Sequence, residues 1–295
     1  METPALAVRG AAPGARLREA LRAARIIHPF PTLLNVAATG ALAVVAADGW
    51  PDGWVLARML AAMFCTQAAI GAANDYFDRE LDAATKPWKP VAAGRVAPST
   101  ALGVAAALVA VAMVVAATIS GGSLLLMALG AACGLTYDAR LKRSVLSGVP
   151  FMVAIPALPL WVWVSLGEWD AVLWWLLPLG ALIGLALHVA NTLPDLRADE
   201  AAGVRGLAHR LGVSGSAILA WASFGGAVGL AAIAGVAAGG DVWLLTGIIV
   251  VAMLALAASV GMYARWRSEF ALQVGFGVLG VGAAAVAAGW LAAVT

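Results

Sequence analysis

The sequence predicts an all-α fold, a polytopic membrane protein built as a bundle of nine transmembrane helices. Three observations carry this expectation. Hydrophobic residues make up 63% of the 295 residues and charged residues 12%, against about 45–50% and about 25% in soluble domains. That contrast excludes disorder, a disulfide scaffold, a coiled coil and an ordinary soluble enzyme. The apolar residues fall in nine continuous runs near the length that crosses a bilayer, and continuous rather than alternating hydrophobicity selects helices over a barrel. Finally, 17 of the 18 Lys and Arg residues lie before the first run or on every second loop. This is the asymmetry that sets membrane orientation.

Residues 1–24, with Arg9, Arg16, Arg18 and Arg22, read as a cytoplasmic arm carrying a short interfacial helix around Leu17–Arg25. Span one, 26–47, is too long and starts too late for a typical signal peptide. The turn DGWPDG (48–53) leads into span two, 54–73, where Arg58 lies early enough to snorkel to the outer interface. The loop after it holds Arg79, Lys86, Lys89 and Arg95. Spans three and four, 98–118 and 121–137, are separated by SGG (120–122) and followed by Arg140, Lys142 and Arg143. Span five, 148–166, contains Pro150, Pro156 and Pro159, which predict kinks beside a cavity. LGEWDA (166–171) leads into span six, 171–193, which is followed by Arg197, Arg205 and Arg210. Span seven, 214–237, turns through AGGD (238–241) into span eight, 242–263. Arg265 and Arg267 then precede span nine, 270–293.

The four turns at 48–53, 120–122, 166–171 and 238–241 contain no Lys or Arg. The N-terminus is therefore expected on the cytoplasmic side and the C-terminus on the other. Trp50, Trp54, Trp169, Trp243 and Trp290 are expected in the outer aromatic belt. Cys65 and Cys133 sit inside apolar runs and read as packing residues. The 33 glycines suit close helix contacts in lipid. Residues 25–295 read as a single transmembrane domain. The net charge of +2, with basic residues scattered over short loops, gives no support to nucleic-acid binding.

The scarce acid is concentrated. Asn74, Asp78 and Asp82 match Asn191, Asp195 and Asp199, each pair 117 residues apart, in an N-x-x-x-D-x-x-x-D pattern after spans two and six. On a helix, positions four apart share one face, so each segment presents an amide and two carboxylates at the cytoplasmic end of a membrane helix. Two such clusters would repel if they converged empty. Mg2+ neutralises them, typically through a few carboxylates plus substrate phosphate oxygens, and the neighbouring Lys and Arg residues complement the remaining phosphate charge. The residues thus point to a Mg2+–diphosphate site at the cytoplasmic mouth of the bundle. The bland readings are solvated loop acids and a transporter, whose coupling carboxylates would be expected near the bilayer midplane.

These segments resemble the UbiA superfamily of intramembrane prenyltransferases. Its first motif, N-D-x-x-D-x-x-x-D followed by K-P-x-R-P, appears as NDYFDRELD (74–82) and KPWKP (86–90). Its second appears as DLRAD (195–199), Gly203, Arg205 and RLG (210–212), and the Tyr and basic residues after span four appear as YDARLKR (137–143). Four features depart from the family pattern. Lys89 stands where Arg is usual, Gly206 replaces a common Thr, and Pro194 should break the helix before Asp195. The Tyr137-to-Lys142 spacing is one residue longer than the commonest form. The resemblance implies transfer of a prenyl group from an isoprenyl diphosphate donor to a lipophilic acceptor, an aromatic or quinone precursor, in a multi-pass protein of a bacterial plasma membrane. It implies Mg2+ held by Asp75, Asp78 and Asp82 on one side and by Asp195 and Asp199 on the other. Asn74 and Asn191 would assist at the two ends, Lys86, Lys142, Arg143 and Arg205 would bind the diphosphate and Lys89 would meet the substrate, with Asp78, Asp82, Asp195, Asp199 and Lys142 catalytic.

The acceptor is less constrained. Gln67 lies two helical turns before Asn74 and points to the same cavity, where branches using 4-hydroxybenzoate commonly carry Arg. It either meets the acceptor or hydrogen-bonds between helices. His188 shares a face with Asn191 and either orients an acceptor or packs between helices. Arg25 and His28 either reach substrate or anchor span one at the interface, and Tyr137 either touches the diphosphate or sits in the interfacial belt. Two other functions fit the pattern: a membrane terpene cyclase of the same superfamily, or a transporter or non-catalytic membrane protein.

Overall fold

The structure, a computed structural model, describes residues 18–19, 21–201, 203–266 and 268–295. The N-terminal arm up to residue 17 and Arg267 lie outside the described residues. The described chain is helical, with no strand. A 3-10 turn, Ala24–Ile27, leads into α1 (Pro29–Ala46) and α2 (Gly53–Phe77). A short α3 (Arg79–Thr85) follows, then α4 (Pro98–Ala117), α5 (Gly121–Ala139), α6 (Val149–Leu166) and α7 (Leu176–Thr192). A short α8 (Leu196–Ala201) precedes α9 (Leu207–Ala237), α10 (Val242–Trp266) and α11 (Glu269–Val294). Among the described residues nine helices are long and apolar enough to cross a membrane, all but α3 and α8, with the 3-10 turn Ala171–Trp175 extending α7.

The Lys- and Arg-free turns do a specific job. Asp52, Ser120 and Asp170 each accept a backbone N–H of the helix or 3-10 turn they introduce, and Asp241 does the same for α10. These are N-caps that satisfy otherwise orphaned donors where the chain re-enters lipid. Pro29, Pro98 and Pro150 open α1, α4 and α6, where a missing N–H costs nothing.

α2 packs against α1, α4 and α5, and α7 against α6, α9 and α11, with α1 also touching α6. Lipid removes most of the hydrophobic drive between helices, so small residues and polar cross-links carry the packing. One such link joins α5 to α6. Ser123 Oγ accepts from Trp161 Nε1 at 2.9 Å and from Ser165 Oγ at 2.9 Å, with all three residues buried.

Two expectations need correction. Trp290 is 1% exposed and donates Nε1 to the Ala231 carbonyl at 3.0 Å, so it belongs to the core and not to the aromatic belt. Trp50, Trp54, Trp169 and Trp243 are exposed as expected. Span seven starts earlier than the hydropathy suggests: α9 begins at Leu207 and bends at Gly212, whose φ of 66° a side chain would resist. α6 carries Pro156 and Pro159 inside one continuous helix, Val149–Leu166. Arg58 caps the end of α4 through Nη1 to the Thr118 carbonyl at 2.7 Å.

Candidate functional site

The first motif lies where α2 ends. The helix stops at Phe77, but the amides of Asp78 and Asp82 still bond to the carbonyls of Asn74 and Asp78, at 2.8 and 2.7 Å. Asn74, Asp78 and Asp82 therefore stay on one face, as the spacing implies. Asp75, Asp78 and Asp82 are 1%, 3% and 4% exposed. Buried carboxylates need partners, and this cluster is densely paired. Lys89 Nζ donates to Asp82 Oδ2 at 2.8 Å and Asn74 Oδ1 at 2.9 Å, and lies 3.1 Å from Asp75 Oδ1. Lys142 Nζ lies 2.5 Å from Asp78 Oδ2, which also accepts from Asn74 Nδ2 at 3.0 Å. A lysine ammonium has three donors and can meet three oxygens from different directions, which a planar guanidinium fork does less well. This accounts for Lys89 at a position where Arg is usual.

Burial raises the Asp82 carboxyl above the ordinary carboxylate range, with Lys89 pulling against it. Burial alone would lower Lys89, but the Asp82 and Asp75 carboxylates outweigh it and hold the ammonium above its usual value.

His28 joins the cluster from the other side. Its Nε2 lies 2.8 Å from Asp75 Oδ1, and since a carboxylate only accepts, Nε2 carries the proton. The residue sits in the left-handed region, φ 47° and ψ 69°, between the 3-10 turn and α1. A Cβ at Gly71 would lie 3.0 Å from the Ile27 carbonyl carbon and 3.1 Å from His28 Cβ. Glycine there lets the turn press onto α2 and brings the imidazole to Asp75. This arrangement goes beyond interfacial anchoring.

The second motif is looser. Pro194 falls in the turn that separates α7 from α8, so Asp195 lies off the helix carrying His188 and Asn191. The Asp199 amide still bonds to the Asp195 carbonyl at 2.9 Å. Asp195 is half-exposed and meets Lys86 Nζ at 3.7 Å. Burial raises the Asp199 carboxyl, with Lys142 pulling the other way. Gly206 packs where a Cβ would lie 2.8 Å from the Lys142 carbonyl oxygen and 3.2 Å from Ser147 Oγ. The missing side chain at this position, where the family commonly has Thr, thus lets the loops after α5 and α8 touch.

These loops enclose a polar chamber of about 390 Å³. Asn74, Asp78, Asp82, Lys86, Lys89 and Lys142 line it from one side. His188, Asn191, Asp195 and Asp199 line it from the other, with Tyr137 between. Asp75 lies behind this wall, held by His28 and Lys89. A second chamber of about 390 Å³ lies among α1, α2, α5 and α6, lined mainly by apolar side chains such as Met63, Ile70, Met127, Phe151, Leu158 and Trp161. His28, Asn74 and Tyr137 line both chambers and so mark their junction. Gln67 lines the apolar chamber and donates to Met63 Sδ of its own helix at 3.7 Å, not across helices. Arg25, Arg143 and Arg205 are exposed and line neither chamber.

Sequence reasoning passed over Asp138, Ser147 and His209. Asp138 accepts from Asn74 Nδ2 at 2.8 Å. Ser147 Oγ lies 3.0 Å from His188 Nε2 and accepts the Leu207 amide at 3.2 Å. His209 Nδ1 accepts from the Gly206 amide at 3.2 Å, leaving Nε2 as the protonated nitrogen of the neutral ring.

The donor set suits a hard cation, since the carboxylates and amides are all oxygen ligands. Among the described residues, no three His, Cys, Asp or Glu side chains converge closely enough to hold a metal ion by themselves. That fits an ion taking most of its ligands from phosphate and water. Ammonium groups meanwhile sit on Asp78, Asp82 and Asp195, supplying the positive charge the carboxylates require.

The profile of the UbiA prenyltransferase family matches residues 33–276. A digeranylgeranylglyceryl phosphate synthase of Methanopyrus kandleri is 33% identical over 155 residues, which is 52% of this chain and 56% of that protein's own length. The fold is similar to that in a structural study of a digeranylgeranylglyceryl phosphate synthase, with TM-score 0.75 and 15% identity over 94% of this chain and 99% of that one. It is also similar to a UbiA homologue from Archaeoglobus fulgidus bound to GPP and Mg2+, with TM-score 0.71 and 16% identity over 93% of this chain and 100% of that one.

Proposed function

We propose, because the chain belongs to the UbiA prenyltransferase family, that it moves a prenyl group from an isoprenyl diphosphate to a lipophilic acceptor. The nine apolar helices among the described residues and that membership make it a multi-pass integral membrane protein. The observation that carries the reading is the junction: a lysine- and carboxylate-lined chamber adjoins an apolar one, and His28, Asn74 and Tyr137 line both. The diphosphate belongs in the first and the hydrocarbon chain in the second. The basic loops support a cytoplasmic position for the polar chamber and the N-terminus. Residues 25–295 would act as one catalytic domain.

Asp78 and Asp82 would hold one Mg2+, with Asp75 behind the chamber wall fixing Lys89 rather than reaching the ion, and Asp195 and Asp199 would hold another. Bound metal would act as a Lewis acid on the leaving diphosphate. The protein's own part is electrostatic and steric. Lys86, Lys89 and Lys142 present ammoniums to the negative charge that builds as the allylic C–O bond ionises. The helix walls keep water from the carbocation until an acceptor captures it. None of the described residues lining the apolar chamber is Lys or Arg, so a free carboxylate acceptor lacks a counter-ion there. An uncharged hydroxyl-bearing acceptor fits this lining better, and a glyceryl phosphate acceptor, the class suggested by the name of the Methanopyrus relative, would need its phosphate held outside the apolar chamber.

The test is mass spectrometry of products from membranes fed labelled prenyl diphosphates, Mg2+ and an acceptor panel. A linear prenyl conjugate is expected. A cyclic hydrocarbon or alcohol formed without acceptor would identify a cyclase instead.

Two further results are expected. On α2 the apolar lining runs from Asn74 to Met63, and on α6 from Pro150 to Trp161. Each is a stretch of about 16 Å at helical rise, room for roughly three or four isoprene units. Trp161, held by Ser123, closes the far end. Trp161→Ala should shift the kcat/KM ratio between donors by about tenfold toward one a unit longer. An unchanged ratio would remove Trp161 as the floor.

The second result concerns pH. Asp82 and Asp199 hold their protons to higher pH than free aspartates, and a carboxylate must lose its proton to bind a cation. The Mg2+ concentration for half-maximal activity should therefore begin to rise, as pH falls, at a higher pH than ordinary aspartate ligands would set. Mg2+ titrations at a series of falling pH values check the slope, and a flat requirement would count against both ligands.

A further inference from the structure

Asp138 is the one carboxylate among the described residues lining the apolar chamber. It is 8% exposed. Its Oδ1 accepts from Asn74 Nδ2 at 2.8 Å, while its buried Oδ2 has no hydrogen-bond partner. Asn74 cannot turn to satisfy it. Both Nδ2 hydrogens are used, on Asp138 and on Asp78, and Oδ1 accepts from Lys89. An unpaired carboxylate oxygen in an apolar wall is retained only at a cost. The carboxylates of Asp78, Asp82 and Asp195 are each matched by a lysine, whereas Asp138 has no lysine or arginine partner among the described residues.

Its position is equally specific. Asp138 follows Tyr137 and bonds to Asn74, the two α-helical residues that line both chambers. If the diphosphate occupies the polar chamber and the chain the apolar one, the allylic carbon lies at this junction. We propose that Asp138 is a further catalytic residue, the base that receives the O–H of a hydroxyl-bearing acceptor. This rests on the prenyl-transfer reading.

The step balances. The acceptor oxygen forms the new bond to the allylic carbon. The carbon–oxygen bond to the diphosphate breaks with its electron pair on the leaving group. The hydroxyl proton passes along the hydrogen bond to Asp138 and is then lost to released diphosphate or water. His188, whose Nδ1 is also buried and unpaired, lines only the polar chamber and packs against both Tyr137 and Phe151, so it is the less suited base.

The experiment uses the full chain in membranes with labelled geranylgeranyl diphosphate, Mg2+, and geranylgeranylglyceryl phosphate and a hydroquinone as acceptor probes. Diphosphate release and prenyl transfer are followed separately. Asp138→Asn should lower transfer by about 10²-fold, the usual range for losing a general base. Diphosphate release should stay within the same order of magnitude, with prenyl alcohol from water capture replacing the conjugate. Asp138→Ala should regain part of the transfer when formate is added. If transfer and release fall together, or their ratio stays at the wild-type value, Asp138 only positions Asn74 and the proposal is overturned. If the wild type releases no diphosphate from the donor, the prenyl-transfer reading itself fails and takes the proposal with it.

Discussion

Replacing Asp78 with alanine should lower diphosphate release from a prenyl donor by about 10²–10³-fold, the scale of losing one preorganised electrostatic group. Two consequences combine at this side chain. It is a proposed Mg2+ ligand, and it fixes Lys142, whose ammonium lies 2.5 Å from Oδ2. Without Asp78, Lys142 loses the partner that aims it across the chamber, and Asn74 loses one of its two acceptors. Asp195→Ala should be comparably damaging to activity but gentler on folding. Asp195 is half-exposed with a single 3.7 Å ion pair to Lys86, whereas Asp78 is 3% exposed within a dense network. Paired assays of diphosphate release and of folded protein in membranes separate the two effects. Wild-type release in either variant would contradict the assignment.

The second large effect is on stability. Lys89→Ala should destabilise the fold by about 3–5 kcal/mol, the cost of stranding buried charge after removing its partner. The side chains of Asp75 and Asp82 are 0% and 5% exposed and both depend on Lys89 Nζ, which is itself 18% exposed. For a chain of this size that loss corresponds to a drop of roughly 10 °C in unfolding midpoint, measured in detergent. Lys89→Arg should fall between wild type and alanine. It keeps the charge but offers a planar fork where three oxygens are met from three directions. An arginine variant as stable as wild type would show that charge alone decides the position.

The bundle was legible because lipid imposes a simple rule: each crossing needs a long apolar run with its backbone satisfied internally. The nine runs, the polar turns and the basic loops follow directly. What hydropathy could not show is where a helix bends. Leu207–Leu211 is helical ahead of the Gly212 bend, yet carries polar neighbours that hide it from an apolar window. Trp290 looked interfacial because it lies near a chain end, but its indole finds the Ala231 carbonyl inside the bundle.

The site was legible in the same partial way. The N-x-x-x-D-x-x-x-D spacing brought Asn74, Asp78 and Asp82 to one face because the amide ladder continues past the end of α2. Pro194 was a readable sign that the second motif would leave its helix. His28 and Asp138 gave weaker signals. Each is a single polar residue at a helix end, and its importance comes from a contact across 47 or 64 positions of sequence. Asp138 stood in plain view within YDARLKR, but only the structure shows that one of its oxygens is left unpaired.

The most direct test of the central claim, that the two motifs build one diphosphate-ionising site, is diphosphate release from labelled geranylgeranyl diphosphate by wild type, Asp78→Ala and Asp195→Ala. Each is assayed with Mg2+ and again after chelation. The account predicts release by wild type with Mg2+ only, and its loss in both variants. Release that survives in both variants, or that persists without a divalent cation, would contradict it.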